Sequence, residues 1–286
     1  GCDALALTDH GNANGLSHQV LHAKKMKAEG RDFKPIFGCE AYFIPSIAEW
    51  RNEYERALED KKRAKTLGSE LSGATVEDEN SSKKVQDVLR RRRHLILLAQ
   101  NQTGLQNIFK LISESYKSEN FYRYPRMDYD LLAKYSEGVI AASACLGGVY
   151  AGNFWENREE GDEAVLNAMR ETTRRMVAIF GDRWYGELQW NNVPEQHKLN
   201  QFIIKMHEEF GIGLISTADS HYPNPDAWKD RELYKRLGWL GKAAPSYEST
   251  ELPIDVDEIG YELYPKNGDQ MWESYKKYSA ECGVEY

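Results

Sequence analysis

The chain predicts an α/β fold whose largely parallel sheet is either open or closed into a barrel. Three observations carry that reading. Short β-rich runs alternate with helix-length stretches, the runs recur along most of the chain, and polar residues gather at the ends of the runs. The β-rich runs are 4–8, 35–44, 94–99, 138–143, 184–189 and 213–217. Helix-like stretches lie between them at 16–29, 104–116, 161–180 and 194–210. The run Ala4-Leu5-Ala6-Leu7 already reads as a core strand at the very start, so the reading expects a chain cut at its N-terminus with at least one strand upstream. Six visible strands plus that one suit a barrel.

Two regions depart from the pattern. Residues 50–93 are strongly charged, with Gly68-Ser69 and Asn80-Ser81-Ser82 as punctuation and no sustained apolar face. They read as a solvated insertion, charged helical pieces around a disordered centre. From Tyr222 onward come a helical patch at 228–240, a loop, a strand-like run at 260–264 and a last helix at 269–282. The expected division is a barrel over 1–240 and a packed connector over 241–286.

The bulk numbers bound the function. With 286 residues, 41% hydrophobic and 12% aromatic, the chain can build one large core or two modest ones. It has no apolar run long enough to span a membrane and no secretory opening. Cys2, Cys39, Cys145 and Cys282 show no CxxC spacing, so a reducing, cytoplasmic setting is expected, each thiol buried or a ligand. A net charge of −8 argues against a broad basic face for nucleic acid. An acidic protein that handles phosphate needs cations of its own, which bound metals supply.

In parallel α/β sheets chemistry gathers at the carboxyl ends of the strands. The first run ends in Asp9-His10-Gly11, the second holds Cys39-Glu40, the fourth ends in Ala144-Cys145 and the sixth in Asp219-Ser220-His221. Taken singly, each is a turn, a satisfied histidine or packing. Together, imidazole, carboxylate and one thiolate suit Zn²⁺, Mn²⁺ or Fe²⁺. His94 begins its strand, the wrong end in an all-parallel sheet. If the strands of Glu40 and His94 form an antiparallel hairpin opened by the insertion, the objection weakens. A barrel distorted at this point is therefore predicted. His18 and His22 read as helix-face residues, and His197 and His207 as solvated ones. The basic run Arg90 to Arg93 reads either as a phosphate-backbone contact or as wet surface.

These residues resemble a known family. Thr8-Asp9-His10-Gly11-Asn12, Gly38-Cys39-Glu40-Ala41-Tyr42, the block from His94 to Ala99, Ser143-Ala144-Cys145-Leu146 and Asp219-Ser220-His221-Tyr222 are similar to motifs of the polymerase and histidinol phosphatase (PHP) domain. More narrowly, with Asn101 to Leu111, Tyr122 to Arg126 and Tyr261 to Cys282, they resemble the version found in bacterial-type DNA polymerase III alpha subunits. The resemblance implies a distorted (β/α)7 barrel, its first strand missing or partial here. It also implies a cluster of up to three divalent metals (Zn, Mn, Fe or Mg). His10, Glu40, His94, Cys145, Asp219 and His221 fall on six of nine ligand positions, and the other three belong to an upstream His-x-His and Asp. Asp9 takes a supporting role beside His10. The implied activity is phosphodiester hydrolysis, such as 3′–5′ proofreading, in a DNA-replicating nucleotidyltransferase. In such chemistry metals lower the pKa of water from 15.7 toward roughly 7. Implied partners are a DNA primer-template, the rest of a polymerase chain, and a clamp or exonuclease. The alternative is a metal-stabilised scaffold that braces the polymerase and docks such partners. A stand-alone small-molecule phosphatase is a third reading.

Overall fold

The computed structural model describes residues 3–70, 76–239 and 262–286, in two compact units, Asp3–Tyr185 and Gly186–Tyr286. The first unit contains β1 (Ala4–Leu7), β2 (Lys34–Phe43), β3 (Arg93–Ala99), β4 (Phe121–Tyr122), β5 (Tyr124–Met127) and β6 (Val139–Ala142), and it ends on the first residues of β7 (Trp184–Leu188). Its helices are α1 (Leu16–Ala28), α2 (Ile47–Glu70), α3 (Val76–Arg90), α4 (Gln102–Ser115), α5 (Tyr129–Lys134), α6 (Val149–Asn157) and α7 (Asp162–Phe180). The sheet is curled and mixed, in the order β4-β5-β2-β3-β6-β7 with β1 beside the first part of β2, consistent with a distorted (β/α) barrel.

The sheet is less parallel than the sequence suggests, and the difference lies at β3. Strand β2 pairs in parallel with β1 and β5, and β6 pairs in parallel with β7. Strand β3 runs against both of its neighbours, β2 and β6. The antiparallel hairpin that His94 required is thus present, and the polypeptide between its two strands is the charged insertion. In the register, Glu40 faces Ile96 and Tyr42 faces His94. Side chains alternate along a strand, so Glu40, Tyr42, His94 and Ile96 share one face and Cys39, Ala41, Leu95 and Leu97 the other. The second set is fully buried, and α4, with Ile108 and Leu111 equally buried, packs on β3.

The insertion has helices at both ends, as expected, and also the apolar face it was not expected to have. Trp50, Ala57, Val85, Val88 and Leu89 of α2 and α3 form a buried cluster with Ile44 and Ile47. The Trp50 indole donates to the Val88 carbonyl at 2.9 Å. Charged residues fill the other positions, among them Lys84–Asp60 (3.0 Å). Spread over two long helices, the apolar positions are too sparse to register as a stripe in either. The punctuation that suggested a disordered centre, Gly68-Ser69 and Asn80-Ser81-Ser82, lies within α2 and α3, and only 71–75 between them fall outside the described residues.

Two buried charged side chains organise the joints. Asp128 accepts from Leu131 N–H (3.1 Å) at the start of α5 and from Ile47 N–H (3.0 Å) at the start of α2. One carboxylate therefore caps two helix N-termini, where the helix dipole favours negative charge. Arg126 is fully buried and, among the described residues, donates only to carbonyls, of Leu89, Tyr122, Tyr124 and Arg91. Leu89 lies in the last turn of α3, where a cation is favoured. Burial, assisted by nearby Arg92, pulls the Arg126 pKa down to about 10.

The second unit holds the remainder of β7, then α8 (Pro194–Phe210), β8 (Gly213–Ser216), α9 (Trp228–Trp239) and α10 (Gly268–Glu281). Helix α8 opens on Pro194 and closes on Gly211 in the left-handed region (φ 68), and α10 opens with an Asn267–Gln270 capping box. The expected boundary at 240/241 and the first residues of the strand-like run 260–264 lie outside the described residues. Glu262 to Tyr264 are irregular instead. The Leu263 carbonyl accepts from His221 and Tyr222 N–H, and its own N–H donates to the Tyr222 hydroxyl, so no strand partner is used among the described residues. No helix among the described residues is long and apolar enough to cross a membrane.

Close approach of α4 to the turn before β6 demands glycine. A Cβ on Gly104 would sit 1.7 Å from the Gly138 carbonyl oxygen. Gly104→Ala is expected to destabilise the chain by about 1–3 kcal/mol or more through overpacking, read as a lower urea midpoint at unchanged slope.

Candidate metal centre

Four candidate ligands meet in the first unit, on the face of the sheet shared by Glu40 and His94. After β1 the chain stays beside β2: Glu40 N–H donates to the Asp9 carbonyl (3.0 Å), Gly11 N–H donates to the Glu40 carbonyl (2.8 Å), and His10 bridges Glu40. Asp9 turns its carboxylate to Gly15 N–H (2.7 Å), closing the loop that carries His10. Its support therefore acts on the backbone of the motif. On the other side of β2, His94 N–H donates to the Gly147 carbonyl (2.9 Å), which seats β3 against the loop after β6. That loop turns at Ala144, whose φ of 61° lies in the left-handed region, and presents Cys145. Gly147 N–H points at the Cys145 sulfur at 3.4 Å.

Glu40 is the hub. One carboxylate oxygen lies 2.6 Å from His94 Nδ1 and the other 3.3 Å from His10 Nε2. Cys145 Sγ is 3.7 Å from His94 Nδ1. Ligand atoms of Glu40, His94 and Cys145 all lie within 4.8 Å of one another. The imidazole rings of His10 and His94 are 5.4 Å apart. The His10 side chain is 45% exposed and that of Glu40 only 6%, so the centre opens on the His10 side. Burial alone would raise the Glu40 pKa. Hydrogen bonds from His10 and His94, with their charge, outweigh it and bring the carboxyl down to about 2.

The donor set fits a borderline divalent cation: imidazole nitrogen, carboxylate oxygen and thiol sulfur converge on one short span. A thiolate suits zinc, manganese or iron better than magnesium, which prefers oxygen alone. Cys39 has no part in this set. It lies on the opposite, core face, where burial raises its pKa to about 12.

Asp219 and His221 belong to the second unit. Asp219 has a φ of 48°, and His221 Nδ1 donates to its carbonyl oxygen at 2.7 Å, which leaves the lone pair of the neutral imidazole on Nε2. The His221 backbone is held by the Leu263 carbonyl (2.8 Å). His18 and His22 are exposed on α1, as read. His197 is not solvated but fully buried, its ring bonded to the Asn191 carbonyl (3.0 Å) and the Tyr286 hydroxyl (2.8 Å). Its place on the apolar side of α8 was hidden by Glu and Lys neighbours in sequence.

Two side chains stand beside the centre: Tyr42, which has no role in the sequence reading, and Arg92, which that reading holds within the basic run. Tyr42 stands 5.7 Å from the His94 ring and 6.2 Å from that of His10, and Arg92 lies over Tyr42 at 5.2 Å. The period of two from Glu40 along β2 points to Tyr42. A cavity of about 500 Å³ lined by Phe43, Trp50, Arg91, Tyr129 and Glu156 includes none of the four candidate ligands.

The chain belongs to the PHP domain family, whose pattern matches residues 1–191. Its relatives include DNA polymerase III subunit alpha of Aquifex aeolicus, 38% identical over 226 residues, which are 79% of this chain and 16% of that protein. The corresponding subunit of Deinococcus radiodurans is 34% identical over 268 residues, 94% of this chain and 16% of that protein. That of Thermus aquaticus is 36% identical over 230 residues, 80% and 15% respectively. The chain therefore spans about one sixth of the length of these relatives.

A carboxyl held below its ordinary 4.5 contributes stability above that value and loses it as pH falls toward 2. With a chelator present, the urea midpoint is expected to drop across that window. Glu40→Gln should flatten that portion of the curve; equal slopes for both proteins would contradict the role given to Glu40.

Proposed function

We propose that the chain is the PHP part of a replicative DNA polymerase of the DNA polymerase III alpha kind, and that its metal centre hydrolyses phosphodiester bonds at a DNA 3′ end. The observation that carries this is the convergence of Glu40, His94 and Cys145 with His10 at one open face. Relatives named DNA polymerase III subunit alpha support the polymerase assignment. On the family resemblance alone, Asp219 and His221 are proposed as further ligands, 1–240 as the PHP part and 241–286 as the connector.

In this reading His10, Glu40, His94 and Cys145 hold divalent cation. When bound, such a cation neutralises phosphate charge and makes water a stronger nucleophile. The protein's own contribution is arrangement. Glu40, kept ionised, divides its two oxygens between His10 and His94. Gly147 N–H holds the sulfur of Cys145 in place, and Asp9 keeps the His10 loop closed. The exposed edge of His10 leaves the side from which a strand end approaches. Phosphoester hydrolysis is very slow uncatalysed, so most of the acceleration must be electrostatic.

A second reading, a metal-stabilised scaffold, is favoured by one observation. The four residues come from four separate segments: the loop after β1, β2, β3 and the loop after β6. A cation shared among them ties these segments together whether or not it cleaves anything. At a metal concentration 100 times Kd, such binding adds about 2.7 kcal/mol of stability.

The full-length protein loaded with Mn²⁺ or Zn²⁺ is expected to shorten a 3′-mismatched primer. His94→Ala and Cys145→Ser should each lose bound metal, and Cys145→Ser should abolish the sulfur-to-metal absorption band of the cobalt-substituted protein. An untouched primer with metal confirmed in place rules out hydrolysis and leaves the scaffold. Full metal occupancy in both variants rules out the centre itself.

A further inference from the structure

The basic run 90–93 meets several fates within the first unit. Arg91 is held by Glu53 through two hydrogen bonds (2.5 and 3.0 Å), and Arg93 by Glu156 (2.5 Å). Arg92 has no carboxylate in ion-pair range among the described residues. Its guanidinium stacks 3.8 Å from the centroid of the Tyr124 ring and 5.2 Å from that of Tyr42. Its Nη1 donates to the Arg90 carbonyl (3.0 Å), while Nε is buried with no acceptor among the described residues. Arg126, held only by carbonyls, lies 5.9 Å from the same Tyr124 ring. Two cations without a carboxylate partner among the described residues thus share one tyrosine, in a chain of net charge −8. Such a cluster costs stability through like-charge repulsion and desolvation, and an incoming anion relieves it.

Position decides which anion. Arg92 lies just before β3, and its guanidinium sits over the ring of Tyr42, which shares a face with Glu40 and His94. The Tyr42 ring stands between, 5.7 Å from the His94 ring and 6.2 Å from that of His10. Stacking pre-orients a guanidinium, and a guanidinium matches phosphate oxygens in charge and geometry. Arg92 is half-buried, so it remains reachable. Aromatic rings interleaved with such a cation are also the composition of single-strand binding sites.

We propose that Arg92 is a substrate-positioning residue of this centre. It takes a phosphate of a single-stranded nucleic acid adjacent to the one held at His10, Glu40 and His94, and so selects a polynucleotide over an isolated phosphate ester. The proposal rests on the hydrolytic reading for the identity of the group at the centre.

The test is binding by the 286-residue zinc-loaded chain of a fluorescent single-stranded oligonucleotide, followed by anisotropy across a salt series, with inorganic phosphate as second probe. Arg92→Ala is expected to weaken oligonucleotide binding about tenfold or more and to lower the salt slope by about one. Phosphate affinity, metal content and melting temperature should hold, and Arg92→Lys should recover part of the loss. Lys24→Ala, an exposed lysine on α1, should change nothing. Unchanged affinity and slope in Arg92→Ala overturn the proposal. So does an equal loss in Lys24→Ala, or no oligonucleotide binding by the wild-type chain. If Arg92→Ala melts earlier, Arg92→Lys decides: a retained salt slope supports the proposal and a lost one overturns it. Binding is read without turnover, so a primer left uncleaved refutes the hydrolytic reading and not this one.

Discussion

The direction of one strand governs the centre. Strand β3 runs against both β2 and β6, so its first residues lie beside the carboxyl ends of its neighbours. Only that reversal brings His94 next to Glu40 on one side and the Cys145 loop on the other. A parallel β3 would send His94 to the far rim. The reversal in turn needs a connection that returns to the same end of the sheet, which the helical hairpin of α2 and α3 provides. The charged insertion is therefore part of how the centre is built. Its inner cluster around Trp50, and the carbonyls that hold Arg126, fasten it to the sheet.

Electrostatics at the centre are set by contrast. Glu40 is buried, yet two imidazoles keep it ionised, so the site holds a fixed negative charge in a place where burial alone would neutralise it. Cys39, one residue away, faces the apolar core and is held as a thiol. Adjacent positions on one strand thus give opposite chemistry, because alternation sends one toward the histidines and the other into packing. Beyond Tyr42 the sign changes, with Arg92 and Arg126 facing no carboxylate in ion-pair range among the described residues.

Much of the fold was legible in the sequence. All six β-rich runs are strands to within a residue or two at each end, and the four helical stretches are helices. What escaped has specific physical causes. Strands β4 and β5 are too short for a period to show. Helix α5 is a single turn and a half anchored by Asp128 more than by its own pattern. His197 looks solvated among charged neighbours, yet one face of α8 buries it. The Trp50 cluster is assembled from positions thirty and more residues apart, so no local window contains it. Tyr42 is not among the imidazole, carboxylate and thiolate donors and so draws no role from sequence, although its spacing from Glu40 places it on the same face.

Sequence alone determined the residue types and their placement in or beside the β-rich runs, with His10, Glu40, His94, Cys145, Asp219 and His221 as candidate donors of borderline softness, and membership in the PHP family. These follow from local pattern and side-chain chemistry, which need no third dimension. Tertiary structure decided that β3 is reversed, that Glu40 divides its oxygens between two histidines, and that of four consecutive arginines Arg91 and Arg93 find carboxylates while Arg92 stacks on tyrosine. Those outcomes depend on which distant segments arrive at a given face. Chain direction and long-range packing settle that, and no spacing within the chain encodes it.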